Sequence, residues 1–360
     1  MSGSAPDIIV VGAGLIGLST ADGLVRSGAD VTVIDARDGP VRGASFANSG
    51  MIHPSQGRSW GPRGWRTDTE RAAEGAVFDL ARRSSALLRQ RMETLGLSEA
   101  LARPVGCYQL YASVDAARAA QSAFATAGVR ANVVIDAGRT FSRPALYFPD
   151  DWSADANAYG CALEADLKHR GVTFIYEARD LRVRAEGDGV AAALGGHRFQ
   201  AGQVVLCGGA QSAALLDTLG LRARIDPVRG WAVDFDLPRE HALPPVPVMD
   251  AASRSALTVF PDRFRLSGTW GEDSARPLLE RWADIIPKAL AEAGKPDRVW
   301  SGLRPVSKAG RPYIGPTPVP GLWINAGHGH LGWTLSAGSG ELMARMILDG
   351  WQDPRFAYAG

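Results

Sequence analysis

Cysteine is scarce in this chain: Cys107, Cys161 and Cys207 are three in number, far apart, and form no CxxC pair. That excludes a disulfide framework and a cysteine-based zinc site, and points to reduced thiols in a cytoplasmic protein. Net charge is equally thin. Thirty-nine Lys and Arg against 38 Asp and Glu leave +1, with no long run of either sign, so there is no electrostatic footprint for nucleic acid. Of the six histidines, His53, His169, His197, His241, His328 and His330, only the last two are close in sequence. Without acidic or cysteine neighbours they make a poor metal site, and none is expected. The first residues, MSGSAPD, lack a basic stretch followed by an apolar core, and no export signal is expected. The apolar stretch 8–25 is interrupted by three glycines and Asp22, which argues against a membrane span. Internal repeats and low-complexity segments are also missing.

What the chain does have is glycine in front of helices. In VVGAGLIGLS, residues 10–19, Gly12, Gly14 and Gly17 stand between the apolar run Ile8, Ile9, Val10, Val11 and the helically spaced Leu15, Leu18, Ala21, Leu24 and Val25. Strand, tight turn and helix leave backbone N–H groups pointing outward with no side chains in the way, which suits a pyrophosphate. A second strand, 31–34, ends in Asp35, about 20 positions on, where an acidic residue grips a ribose hydroxyl pair. Its carboxylate would repel a 2′-phosphate, so an unphosphorylated adenosine is favoured. At 360 residues, 46% of them hydrophobic, the chain has room for one large or two medium domains.

After Asp35 comes a loop, 39–66, with SFANSG (45–50), Trp60 and Trp65, instead of a further strand–helix unit. A loop of that length in a compact domain is more often functional than not. The spacing of Val77, Leu80, Leu87, Leu88 and Leu95 predicts a helix over 70–95, leaving Arg82, Arg83, Arg89 and Arg91 to solvent. A helix at 156–170 precedes strands at 172–176, 181–184, 190–194, after a turn at Asp188 and Gly189, and 204–206. The last of these runs into CGGAQS (207–212) and a helix at 212–219. Between 222 and 300 strands and hairpins predominate, two of them about Pro261 and Asp262, with a helix at 277–293. A strand at 322–325 and a helix at 335–348 flank NAGHGHLGWTLSAGSG, residues 325–340.

The opening glycine turn, SFANSG, CGGAQS, GLRPVSKAGRPYIG (302–315) and NAGHGHLGWTLSAGSG, in this order, resemble the D-amino acid oxidase superfamily of flavoenzymes, most closely its D-amino acid dehydrogenase branch. The resemblance spans the chain from Ile8 to the last helix. It implies an α/β fold, with an FAD-binding Rossmann-like domain of the glutathione reductase type (1–80, 150–220 and 300–360) and a mostly antiparallel β-sheet substrate domain (81–149 and 221–299). It implies noncovalent FAD, since no His or Cys stands where relatives attach the flavin. Gly12, Gly14, Leu15, Ile16 and Gly17 would hold the pyrophosphate, and Asp35, with Ala36 beside it, the adenosine ribose. Ser45, Asn48, Ser49, Gly50 and Met51 would run beside the pyrophosphate and the flavin ring. Leu181 would lie against the adenine, and Gly208 and Gly209 would close on the cofactor. His330, Leu331, Gly332, Trp333 and Thr334 match the loop at the flavin's pyrimidine edge, where a helix N-terminus favours the negative charge of reduced flavin.

For the substrate, Arg304 of GLRP would grip a carboxylate at two points, with Arg229 of PVRGW as a second polar group. His53 and His330 are candidate catalytic side chains, against the alternatives of a solvent-facing and a space-filling histidine. Trp270 and Trp333 are candidate walls of the pocket, against ordinary core. The implied activity is oxidative deamination of a D-amino acid or a cyclic secondary amino acid, with hydride leaving for flavin N5. The sequence shows no acid–base pair, and none is needed if the amine enters neutral. A glycine- or sarcosine-type amine oxidase and a flavin-binding subunit of a hetero-oligomeric dehydrogenase are the alternatives. The electron acceptor is a quinone, an electron-transfer partner or oxygen; an oligomer stays open, as does peripheral contact with the inner face of a membrane. The chain is short for that branch, and the missing loops are expected around the active-site entrance.

Overall fold

The computed structural model describes residues 7–46, 48–56, 68–97, 104–135, 141, 143–186, 189–194 and 197–359. Trp60, Trp65 and Asp188 lie outside them. The strand Ile8–Val11, buried along its length, sits inside a six-stranded sheet ordered Tyr313–Pro316, Leu322–Ala326, Gln203–Leu206, Ile8–Val11, Val31–Ile34, Thr173–Ile175. All neighbours are parallel except the edge strand Tyr313–Pro316. Runs of Val, Ile and Leu suit this position because a parallel sheet is covered on both faces. Ile8 and Val10 pack against helices, while Ile9 and Val11 pack toward Val183, Val190 and Ala192 of a small antiparallel meander, as the two-residue strand period requires. Chain order reverses at Ile8–Val11, with Val31–Ile34 on one side and Gln203–Leu206 on the other. A crevice opens beyond its carboxyl end, where sheets of this kind bind ligands.

The helices Leu15–Arg26 and Gly332–Leu348 cross with their backbones in contact. A Cβ on Gly23 would stand 2.7 Å from the carbonyl oxygen of Gly340, and one on Gly340 2.1 Å from that of Ser19. Glycine inside a helix costs about 1 kcal/mol against alanine; the close crossing offsets it. The last helix accordingly begins at Gly332, three residues before the start expected at 335. Asp22 ties in two further helices. Its carboxylate accepts from Arg26 at 2.9 Å, from Arg91 of Asp68–Thr94 at 2.5 Å, and from Arg170, which ends Ala156–His169, at 2.5 Å. Arg91 is therefore a partner in a largely buried ion cluster, not part of the solvated face expected of it. Arg89 lies 4.3 Å from the centroid of the Trp152 ring, and only Arg82 and Arg83 of the four are exposed.

The second sheet has eight strands: Arg298–Ser307, Ile225–Asp236, Arg263–Gly268, Ser255–Val259, Val248–Asp250, Cys107–Leu110, Ala145–Phe148 and Asn132–Val134. It is antiparallel except where Val248–Asp250 meets Cys107–Leu110. The helices Arg276–Ala283 and Pro287–Ala293 bury Leu278, Trp282 and Ala289 against Leu257, Phe264 and Leu266. The single helix expected at 277–293 is two, because Pro287 has no N–H to return and starts a new turn. The strand Arg298–Ser307 and the helix Asp68–Thr94 each run through a domain boundary expected from the sequence. Arg265 joins the sheets: it holds Asp234 through two bonds of 2.7 and 2.9 Å and donates from Nη1 to the carbonyl of Asn48 at 2.9 Å. Among the described residues, no helix is long and apolar enough to cross a membrane.

Candidate active site

A cavity of about 1130 Å³ extends from the first glycine turn to the second sheet. At the turn, Gly12 has φ 113°, and a Cβ there would stand 2.6 Å from the carbonyl oxygen of Cys207, so conformation and contact both require glycine. Gly12, Gly14, Leu15 and Ile16 line the cavity, as do Asp35, Ala36 and Leu181. The Asp35 carboxylate is fixed by the chain itself, accepting from the N–H of Ala13 at 2.6 Å and of Arg37 at 2.8 Å. Ser45 lines it too, and its Oγ accepts from the N–H of Leu15 at 3.1 Å, which holds the loop over the start of the helix. Asn48 braces that loop, donating to the Ser45 carbonyl at 2.5 Å and accepting from the N–H of Gly50 at 2.6 Å. Asn48, Ser49 and Met51 line the cavity, with Gly208 and Gly209 opposite.

Four expected contacts stand one layer back. A Cβ on Gly17 would lie 1.7 Å from the Gly12 carbonyl oxygen, so this glycine serves the packing of helix on turn. Gly50, at φ 76°, would drive a Cβ to 2.7 Å from the Phe260 ring. Leu331 is buried in the helical core, and the Oγ1 of Thr334 accepts from the N–H of His53 at 2.9 Å. Gly332, Trp333 and His330 do line the cavity, and Trp333 packs 4.9 Å from the Tyr159 ring centroid.

At the other end Arg304 lines the wall. Its Nη1 donates to the carbonyl of Thr269 and its Nη2 to that of Gly268, both at 3.0 Å. Thr269, at φ 67°, occupies a region costly for a β-branched residue. The guanidinium lies flat across Gly230, where a Cβ would come within 2.0 Å of Nη1. Burial lowers the Arg304 pKa to about 10, opposed by Glu272, which still leaves a cation at neutral pH. Arg229 is exposed on the lining and tied to the Ser301 hydroxyl at 3.0 Å. Arg254, unmarked by the sequence, also lines the cavity, 5.1 Å from the Trp270 ring centroid. Trp270, expected as a wall, is not among the residues that line the cavity.

His53 is not the solvent-facing residue that a loop position suggests: it lines the cavity and is 7% exposed. Its Nδ1 is 3.1 Å from Oδ2 of Asp151, which is fully buried and accepts from the N–H of Ser55 at 3.1 Å and its hydroxyl at 2.6 Å. The pairing of Met51–Ile52 with Trp152–Ser153 puts Asp151 there. Donor atoms of His53, Cys107 and Asp151 lie within 4.8 Å of one another, a grouping that the expectation of no metal site, argued from His328 and His330, did not consider. Both oxygens of Asp151 are engaged by Ser55 and His53. Burial pushes His328 down to about 3, with Nε2 2.9 Å from the Ser339 hydroxyl. His330 is pushed well below the usual histidine range, first by burial and then by the charges of His53, Arg304 and Arg254.

A family model described as FAD dependent oxidoreductase matches residues 7–346. The chain belongs to that family. It is 30% identical to a D-amino acid dehydrogenase of Methylobacterium nodulans, over 94% of each chain, and 28% identical to one of Sinorhizobium medicae, over 95% of this chain and 96% of the relative. A glycine oxidase from Geobacillus kaustophilus shares the fold, with a TM-score of 0.82 at 22% identity over 98% of both chains. The enzyme's cofactor is FAD, as its family implies, and the cavity suits it. The starts of the helices at Leu15 and Gly332 meet this one cavity, and neither N-cap residue closes its helix with a side chain. Two positive dipole ends thus face a space sized for a dinucleotide, one suited to the diphosphate and one to an electron-rich ring edge.

Asp151, Arg254 and Gly230 are the residues of this FAD dependent oxidoreductase that sequence reasoning missed. Gly230 follows Arg229 in PVRGW and could have been found as the small residue an arginine must lie across. Asp151 carries no local signal.

Proposed function

We propose that this FAD dependent oxidoreductase oxidises the C–N bond of an amino acid, with a D-amino acid or a cyclic secondary amino acid as substrate. Arg304 carries the reading. Each of its terminal nitrogens has two hydrogens, one spent on a backbone carbonyl and one left over, and the guanidinium is desolvated at the cavity wall. That is a preorganised two-point site for a carboxylate. The D-amino acid dehydrogenase relatives support it. FAD supplies the acceptor for the hydride that leaves the α-carbon. The chain's own part is orientation: Arg304 fixes the carboxylate, and the α-hydrogen then has one direction to face. A primary amine gives an imino acid that water converts to an oxo acid. The same reading has a cytoplasmic enzyme passing electrons to a quinone, an electron-transfer partner or oxygen. Mixing the purified yellow protein anaerobically with a panel of D- and L-amino acids tests it. Bleaching of the flavin band by at least one of them is expected; a flavin that none of them reduces contradicts the reading.

A further inference from the structure

The end of the cavity that holds Arg304 is rich in positive charge. Arg304 and Arg254 both line it and both act on His330, and the acids among the described lining residues, Asp35, Asp38 and Glu177, belong to the end with the first glycine turn. A carboxylate is welcome here. An amino acid arrives from neutral water as a zwitterion, so its ammonium proton must leave before nitrogen can share its lone pair with the α-carbon.

Three histidines line this cavity, and the fold treats them differently. His328 and His330 are driven to the neutral form by burial. Cys107 is no alternative: burial, and then the charge of Asp151, push its thiol well above the usual range. His53 has a buried carboxylate 3.1 Å from Nδ1, so its imidazolium form is met by a fixed counter-charge. With Nδ1 turned to Asp151, Nε2 is the ring nitrogen left for the cavity. Its main chain is pinned as well, through the Thr334 hydroxyl at the start of the last helix.

We propose that His53, held by Asp151, accepts the proton of the substrate's ammonium group before the C–N bond is oxidised, with Asp151 as the positioning residue. The inference rests on the amino acid reading above. An N–H bond of the ammonium breaks, a bond from that proton to Nε2 forms, and no electrons change hands. The neutral amine's lone pair is then free for the C=N bond that oxidation of the α-carbon would form. The charged and titratable groups around His53 are Asp151 and Cys107 beneath it and His330, Arg304 and Arg254 across the cavity, with Glu272 acting on Arg304.

The test is anaerobic flavin reduction by one amino acid substrate from pH 6 to 10, per bound FAD, in the parent, His53→Gln and Asp151→Asn. At pH 7 His53→Gln is expected to be slower by about a hundredfold, and the deficit should close toward pH 10, where substrate arrives already neutral. Asp151→Asn should fall in the same direction by about tenfold. A second readout isolates the pair: the double variant His53→Gln with Asp151→Asn should be no slower at pH 7 than His53→Gln alone, because a positioning residue then has nothing left to position. A loss that is uniform across pH, or losses of the two single variants that multiply in the double variant, overturns the proposal. If Asp151→Asn does not load FAD, the pH profile of His53→Gln decides alone. If no amino acid reduces the parent at any pH, it is the amino acid reading that fails, and the proposal with it; a parent that is reduced while His53→Gln loses nothing at pH 7 fails the proposal alone.

Discussion

At one end of the cavity Gly12, Gly14 and Asp35 belong to a single strand–turn–helix–strand unit, and the bond from Ala13 to Asp35 spans only 22 positions. At the other end, His53 meets Asp151 from 98 positions away and Arg304 meets the Gly268 carbonyl from 36. The first end binds with backbone N–H groups and needs side chains to be absent. The second binds with side chains and needs distant segments to deliver them. A steric insult at the first should therefore remove the cofactor altogether, whereas changes at the second should leave FAD bound and alter only what is done with it.

The largest effect is expected at Gly17. A Cβ there meets the Gly12 carbonyl oxygen at 1.7 Å, so Gly17→Val must displace the turn or the helix, and the purified variant should be colourless. If it keeps stoichiometric FAD by absorbance, the first end is not built as described. Next is Asp22, which serves neither end but holds the helix starting at one of them. Asp22→Ala takes its carboxylate from the largely buried Arg91, while Arg170 keeps Asp166 at 2.8 Å, and should cost about 3 kcal/mol, read as a lower denaturation midpoint, while flavin reduction per bound FAD stays as in the parent.

Gly230 sharpens the contrast from the substrate side. Its missing Cβ is what lets Arg304 lie where it does, so Gly230→Ala should lower kcat/KM about tenfold, or ~1.4 kcal/mol, without loss of FAD. A change of pH needs no substitution in either end. His328 has a folded pKa of about 3 against an unfolded value near 6.5, so between these values the unfolded chain takes up a proton that the folded one refuses. Stability should therefore fall as pH drops below about 6.5, by up to ~1.4 kcal/mol per pH unit from this residue. Thermal melts from pH 7.5 to 5 should show a shallower acid slope for His328→Gln than for the parent.

The same contrast explains what was legible in the sequence. The parallel strands, the glycine turns and the ribose-gripping Asp35 could be read because each is local: apolar runs, then glycine, then helical spacing. Arg304 is legible through its motif, but its supports are not: Gly230 belongs to the next strand, and the Gly268 and Thr269 carbonyls to the end of the strand beyond it, which only the sheet register brings near. Asp151 was invisible for the same reason, since a two-residue strand pair decides its place. A helix face rich in arginine reads as solvated, and it is the buried Asp22 on another helix that draws Arg91 inward. Motifs record which residues matter without separating those that would touch a ligand from those, such as Gly17 packed on the Gly12 carbonyl, that hold the turn in place.

The central claim is that this family fold carries a carboxylate grip at Arg304, and it is tested most directly by anaerobic flavin reduction in the parent and Arg304→Ala, each with an amino acid and with its decarboxylated amine. Loss of a charge-assisted contact of roughly 2 to 4 kcal/mol predicts a fall of about thirty- to a thousandfold in kcat/KM for the amino acid. The amine should be a poor substrate for both proteins and nearly indifferent to the substitution, and Arg304→Lys should recover only part of the loss, having charge without the planar fork. Equal reduction of the amino acid by parent and Arg304→Ala, with FAD fully bound in both, would contradict the account.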